Sequence, residues 1–362
     1  MRRIKVIYTL GIALLFLGIS TFVHASEFNF AVNPVIPDNQ IDKDKSYFDL
    51  KLSPDQKQTL KIQLKNDTDK EVVIEAGINS ATTNLNGVVE YSQNAIEPDE
   101  TLAFNLKEYA NIEQEITIPA KSVVEVPVEI HMPKETFDGV IAGGITFKEK
   151  QTEKKETSND KGLAIKNEYS YVIALLMREN ANLVEPKLNL MNVEANQVNA
   201  RNVIDIQLQN PVARYLNQLK LVGEITNKDN PDLNYTIDAE GLQMAPNSNF
   251  SYPVALNGQR LEPGNYHLHL IAYGNKSSDG TISVETKNGE TAKFANQWEF
   301  DKDFSISGET AKKYNKQDVT IEKSDTNWLY WIIGLLLLII ALLILFLIWK
   351  RKKQKDEEEA KK

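Results

Sequence analysis

The 362-residue chain is long enough for about two domains, and its 42% hydrophobic and 25% charged content is ordinary for a protein that buries a core. It contains no cysteine, which excludes disulfides, thiolate metal sites, iron–sulfur clusters and cysteine nucleophiles together. Basic residues number 41 against 50 acidic ones, a formal net charge of −9, which argues against nucleic acid as a partner.

Residues 1–25 read as a secretory signal peptide. Arg2, Arg3 and Lys5 precede an uncharged apolar run from Val6 through Phe22, and Val23-His24-Ala25 places small residues where a signal peptidase cuts. The mature chain then begins at Ser26. From there apolar and polar residues alternate with period two: Phe48, Leu50 and Leu52, then Leu60, Ile62 and Leu64, then Val72, Ile74, Ala76 and Ile78. The same alternation returns at Val124–Ile130 and at Ile204–Leu208. Turn signals such as Asn66-Asp67, Asn86-Gly87, Asp138-Gly139 and Asn257-Gly258 separate the runs, and Glu100 to Ala110 reads as a short helix.

This pattern predicts an all-β body of two tandem immunoglobulin-like β-sandwiches, 26–160 and 161–308. An internal echo supports the pair, since Ile62-Gln63-Leu64-Lys65-Asn66 recurs as Ile206-Gln207-Leu208-Gln209-Asn210. Between the halves, residues 148–162 are charged and poor in apolar side chains, as a linker or an exposed loop would be. The run Tyr169 to Met177 is apolar on both faces, as in a central strand. It either opens the second sandwich or closes the first by pairing with Val140–Phe147, in which case the boundary extends to about 182.

Residues 309–325 read as a stalk and 326–349 as one transmembrane helix, which spans roughly 36 Å at about 1.5 Å per residue. Trp328, Tyr330, Trp331 and Trp349 mark its interfaces, and Lys350-Arg351-Lys352-Lys353 opens a cytoplasmic tail, 350–362. The reading is a type I membrane protein with its body outside.

Catalytic signatures are sparse: the chain has no H-E-x-x-H, G-x-S-x-G, Walker loop or G-x-G-x-x-G. His267 and His269 are two apart on one strand and share a face, but no carboxylate at fixed sequence spacing joins them, so they read as surface imidazoles beside Tyr273. Asp38, Asp42 and Asp44 lack the glycine and bidentate glutamate of an EF-hand loop and read as a solvated turn. No metal and no cofactor are expected. A carboxylate pair for glycoside hydrolysis stays open, because its separation is a property of the fold.

Several ordered motifs carry a resemblance. Pro37-Asp38-Asn39-Gln40, Tyr47-Phe48-Asp49-Leu50, Ala81-Thr82-Thr83-Asn84, Asn86 through Tyr91, Met132-Pro133 and Phe137 through Gly144 lie in the first half. Tyr169 through Ile173, Gln209-Asn210-Pro211, Met244 through Ser248 and Trp298-Glu299-Phe300 follow. Over residues 28–308 the chain resembles the WxL-interacting protein family of Gram-positive bacteria. That resemblance implies a peptidoglycan-binding first domain and a second domain that binds host components, with WxL-domain surface proteins and host matrix proteins as partners. The chain lacks a Trp-x-Leu motif of its own, since Trp298 and Trp328 are followed two residues on by Phe300 and Tyr330. It is therefore the partner type.

Asp38, Asn39, Gln40, Thr82, Thr83, Asn84 and Asn86 offer donors and acceptors for sugar hydroxyls and peptide amides, and Tyr91 offers a ring to stack, so these are the candidate peptidoglycan contacts. Tyr266, Tyr273 and Trp298 are the candidate partner contacts. The expected function is a membrane-anchored, non-enzymatic surface adapter. The alternatives are a wall-glycan hydrolase with an Asp/Glu pair and an assembly chaperone acting by β-strand addition.

Overall fold

The alternating runs form strands in the computed structural model, which describes residues 29–151, 169–321 and 327–359. The expected signal peptide and most of the expected linker lie outside these residues. The first half holds β1 (Ala31–Val35), β2 (Phe48–Lys51), β3 (Lys57–Asn66), β4 (Val72–Ser80), β5 (Thr82–Thr83), β6 (Val89–Glu90) and a single-turn helix α1 (Leu106–Tyr109). It continues with β7 (Ala110–Ile112), β8 (Glu115–Ile118), β9 (Ser122–His131), β10 (Ile141–Glu149) and β11 (Ser170–Arg178). The second half holds β12 (Asn189–Val198), β13 (Arg201–Asn210), β14 (Leu216–Asn227), β15 (Asn234–Met244), β16 (Ser248–Ala255), β17 (Gly264–Lys276), β18 (Ile282–Glu285) and β19 (Thr291–Ile306). Helices α2 (Gly308–Gln317) and α3 (Asn327–Glu359) follow.

Each half packs two sheets face to face. In the first, a sheet ordered β1-β3-β9-β7 covers one ordered β2-β11-β10-β4-β8. In the second, β12-β13-β16 covers β15-β14-β17-β19-β18. The inward positions of the two layers meet in one core per half, with Leu60, Ile62 and Leu64 of β3 and Val126, Val128 and Ile130 of β9 clustered with Ile74, Ile145 and Phe147 from the other sheet. Each such side chain contributes about 1.5–3 kcal/mol when fully buried.

The two strand orders are the same scheme used twice. Reading β11-β10-β4-β8 against β19-β17-β14-β15, and β1-β3-β9 against β12-β13-β16, matches strand for strand. Pairing settles the open strand: β11 pairs antiparallel with β10 and parallel with β2, so it completes the first sandwich. The sequence echo also has a structural cause. Asn66 ends β3 fully buried and donates its amide to the carbonyls of Lys70 and Ile118, while Asn210 ends β13 fully buried and donates to those of Arg214 and Ala245. In both, one side chain clamps the carbonyl four residues on and a neighbouring segment, so the turn stays dry and satisfied.

The stalk expected from residue 309 is largely part of the second sandwich. Ser307 caps α2 by accepting from the Thr310 N–H, Ala311 is buried, and Asn315 bonds both the amide and the carbonyl of Leu261. Asp318 then accepts from the Asn202 N–H at 2.7 Å and from Thr320. The polar composition of α2 hides this docking, because caps and amides carry much of it and its apolar contact is confined to Ala311 and Tyr314. Beyond it, Tyr330–Arg351 of α3 is long and apolar enough to cross a membrane by length and composition, and none of it is buried against the body.

The halves meet at a seam of direct bonds. Val140 N–H donates to the Ala213 carbonyl at 3.0 Å and Gln243 N–H to that of Gly87 at 2.6 Å. Gly139 sits at φ +95°, and a Cβ there would stand 2.2 Å from the Ala213 oxygen, so only glycine permits the approach. Ala81, Val140, Ala142 and Leu176 from one side and Ala245 from the other form a small apolar cluster, with Tyr91 and Tyr215 against it. Asp99 is the polar node: its carboxylate accepts from the Gln209 amide at 3.0 and 3.1 Å, from Asn249 at 2.6 Å, and from the Thr101 hydroxyl at 2.6 Å.

Burial pushes the Asp99 carboxyl up, but the bonds from Thr101, Asn249 and Gln209 outweigh it and hold it below the usual carboxylate range. A carboxyl depressed in the folded state stabilises the fold above its ordinary pKa and ceases to as pH falls through the folded value. Asp99→Ala, which strands the buried Gln209 amide and the half-buried Asn249 amide, is therefore expected to cost about 1–3 kcal/mol at pH 7 by urea unfolding. The gap between variant and parent should shrink below about pH 4.

Candidate functional site

A groove of about 980 Å³ opens on the first sandwich, on the outer face of its five-stranded sheet. Alternation makes the floor: Ile74, Ile78, Ile145 and Phe147 point into the core, which leaves Glu75, Gly77 and Asn79 of β4 beside Thr146 and Lys148 of β10. Register sets Gly77 opposite Thr146 and Glu75 opposite Lys148. One wall is α1 and β7 with the turn after it, carrying Lys107, Asn111, Gln114 and Glu115. Ser92 and Gln93 close another side, and Tyr169 and Ser170 at the start of β11 a third. Gly143 is needed to seat this wall, because a Cβ there would meet Leu106 of α1 at 2.4 Å and the Asn79 carbonyl at 2.2 Å.

The lining is chemically mixed. Amides on Asn79, Gln93, Asn111 and Gln114 and hydroxyls on Ser92, Thr146 and Ser170 supply neutral donors and acceptors. Lys107 and Lys148 bring positive charge to the lining, Glu75 and Glu115 negative charge, with Glu115 paired to Lys150, and Tyr169 adds an aromatic face. Such a surface suits an amide-rich, hydroxyl-rich polymer carrying both charges, and its volume lies at the upper end of ligand pockets, about 300–1,000 Å³.

None of the residues singled out from sequence lines this groove. Gln40 is 6% exposed and braces its own loop, donating to the Asp42 and Tyr47 carbonyls and accepting from the Asp49 N–H. Asn39 and Gln58 exchange reciprocal amide bonds of 2.9 Å, and Asp38 lies near Lys43 at 3.5 Å. Asp42 accepts from the Asp44 N–H and lies 3.7 Å from Lys45.

Thr83 is 1% exposed at the seam, sharing a 2.7 Å bond with the Ser248 hydroxyl and accepting from the Ala245 N–H at 3.0 Å. It has no surface to offer a glycan. Thr82 accepts from Asn94, and Asn84 closes the β5–β6 turn through the N–H groups of Asn86 and Val88, leaving Asn86 exposed. Tyr91 packs over Gly144 and bonds the Tyr215 hydroxyl at 3.1 Å across the seam.

Of the expected partner contacts, Tyr266 is fully buried, stacked on Phe304 with its hydroxyl on the Glu262 carbonyl, and so belongs to the core. Trp298 lies half-buried on that core, over Gly274. Tyr273 remains half-exposed, tilted against Phe294.

These positions separate by stability. Thr83→Val keeps the shape but leaves the buried Ala245 N–H without its acceptor and removes the bond to the Ser248 hydroxyl, so a loss of about 1–3 kcal/mol is expected from denaturant unfolding. Asn86→Ala, on the exposed turn, should stay within about 0.5 kcal/mol of the parent.

The comparisons with known proteins agree with the two-part plan. The WxL Interacting Protein peptidoglycan binding domain matches residues 30–149, and the WxL Interacting Protein host binding domain matches residues 160–316. The second match starts ahead of β11, a strand that pairs within the first sandwich. No curated protein matches the chain. Among solved structures, one chain of a chaperone–tip adhesin complex of CFA/I fimbriae shares 10% identity over 74% of this chain and 99% of its own, with a TM-score of 0.29. The E. coli chaperone DraB shares 14% over 77% and 98%, at 0.26, and the Pseudomonas aeruginosa CupB2 chaperone 11% over 67% and 91%, at 0.25. At those scores the likeness carries no argument. The two domain matches together cover well over half of the sequence, and the chain belongs to the WxL-interacting protein family.

Proposed function

We propose that the protein is a membrane-anchored surface adapter whose first sandwich holds peptidoglycan in the groove between β4, β7 and β10, while the second engages WxL-domain or host proteins. The observation that carries this reading is the groove itself, which lies in the half that matches a peptidoglycan binding domain. Its amides and hydroxyls suit N-acetyl sugars, and its two lysines and two glutamates suit the carboxylates and amines of peptide stems. In this account the protein binds and does not turn over the glycan. The α3 helix anchors the body, and the cationic stretch Lys350–Lys353 keeps its far end in the cytoplasm.

Neutral hydrogen bonds dominate the lining, so binding should persist in moderate salt, which weakens interactions between exposed charges and largely screens those more than about 8–10 Å apart. The test is co-sedimentation of the detergent-solubilised chain with insoluble peptidoglycan. Gln93→Ala, Asn111→Ala and Gln114→Ala combined remove three exposed groove amides and should weaken binding about tenfold or more, equivalent to about 1.4 kcal/mol, with the melting temperature unchanged. Equal binding by the triple variant would remove the groove from the account, and release of soluble glycan fragments would assign turnover in place of binding.

A further inference from the structure

The long hairpin of β17 and β19 brings together side chains that lie about thirty residues apart in sequence. Pairing sets His267 opposite Asp303 and His269 opposite Asp301, with Glu299 two residues further along β19 on the same face. On the other side of β17, Glu224 of β14 faces His269. Two imidazoles thus sit among four carboxylates on the outer face of the second sandwich, remote in sequence from the seam motifs and on the other half from the groove.

The distances are those of a donor set. Asp301 Oδ1 lies 3.0 Å from His269 Nδ1 and 3.2 Å from His267 Nε2, and Asp303 Oδ1 lies 2.7 Å from His267 Nδ1. Lys228 occupies the second oxygen of Asp303 at 2.6 Å. Glu299 Oε1 stands 3.9 Å from His269 Nε2. That gap is too long for a hydrogen bond, which ends near about 3.2 Å. It fits two ligands of one cation, since bonds of about 2.0–2.2 Å at an open angle place their ends about 3.4–4.0 Å apart.

One donor atom from each of His269, Glu299 and Asp301 lies within 4.8 Å of the others, a spread that side-chain rotation closes around a single ion.

We propose that His269, Glu299 and Asp301 bind a divalent transition-metal cation of the zinc class on the outer face of the second sandwich, with His267 beside them on Asp301. Imidazole with carboxylate selects Zn²⁺, Ni²⁺ or Cu²⁺ over the hard cations, which prefer all-oxygen cages. The cluster gathers four carboxylates, more than the two imidazoles and Lys228 neutralise, so it keeps net negative charge for a cation beyond its own ion pairs. The site lies outside both cores, so the metal is a surface ligand and not a requirement for folding.

The test is isothermal titration of ZnCl₂ into the untagged full-length chain in detergent. One saturable site is expected, with His269→Gln and Glu299→Gln each weakening it at least tenfold and His131→Gln, which alters an exposed histidine in the first half, leaving it unchanged. CaCl₂ should not compete. Co²⁺ gives a second readout, a visible ligand-field band present in the parent and lost in Glu299→Gln, while the circular dichroism melting curve confirms that each variant is folded. Absence of saturable Zn²⁺ binding, or equal affinity in folded His269→Gln and Glu299→Gln, overturns the proposal.

Discussion

At the seam, one threonine hydroxyl is buried against one serine hydroxyl, and the Asp99 carboxylate is held by amides from the opposite sandwich. These bonds are directional, and the groups making them are dry. Sliding or tilting the halves would strand the Thr83 hydroxyl, the Ala245 N–H and the Gln209 amide and strip Asp99 of its two amide donors, at about 1–3 kcal/mol for each buried group left unpaired. The close approach of Gly139 to Ala213 adds a steric limit in the same place. One relative arrangement of the sandwiches therefore satisfies every group. The groove on one half and the imidazole–carboxylate face on the other are then parts of one rigid body, carried ahead of the apolar helix.

Much of the fold was legible because burial writes itself as period two. The alternation of β3 and β9 marks their inward faces, and the Ile62–Asn66 echo at Ile206–Asn210 marks a clamp used at the same point of both sandwiches. Length and lack of charge marked the apolar helix. The role of β11 was not legible, because a strand apolar on both faces reads the same whichever sandwich it completes, and pairing alone decides it. α2 escaped because its docking depends on a capping serine, an asparagine and an aspartate, residue types equally common in exposed loops.

The site was harder to read for a related reason. Thr83, Asn84 and Tyr91 have the composition of a sugar-binding turn, and such residues bond a neighbouring domain, as Thr83 and Tyr91 do, or their own turn, as Asn84 does, with the same atoms they would offer a ligand. Many of the motifs that carry the family resemblance, Ala81–Asn84, Gly139–Gly144, Gln209–Pro211 and Ala245–Ser248, gather at the seam, so what they preserve in this molecule is the junction. The groove left no local signature, since its lining is drawn from β4, β7, β10, the start of β11 and the turn near Gln93. Its one sequence trace is Gly77 between Glu75 and Asn79, an outward row of β4 that is polar and small. His267 and His269 were visible, but their carboxylates lie across a hairpin, where no fixed spacing reveals them.

The central claim is that the seam makes the two sandwiches a single unit, and cooperativity of unfolding tests it most directly. Differential scanning calorimetry of the detergent-solubilised chain should show one transition for the body, with a calorimetric to van't Hoff enthalpy ratio of about 1. Two resolved transitions, or a ratio of about 2, would mean that each sandwich unfolds alone, and would contradict the account.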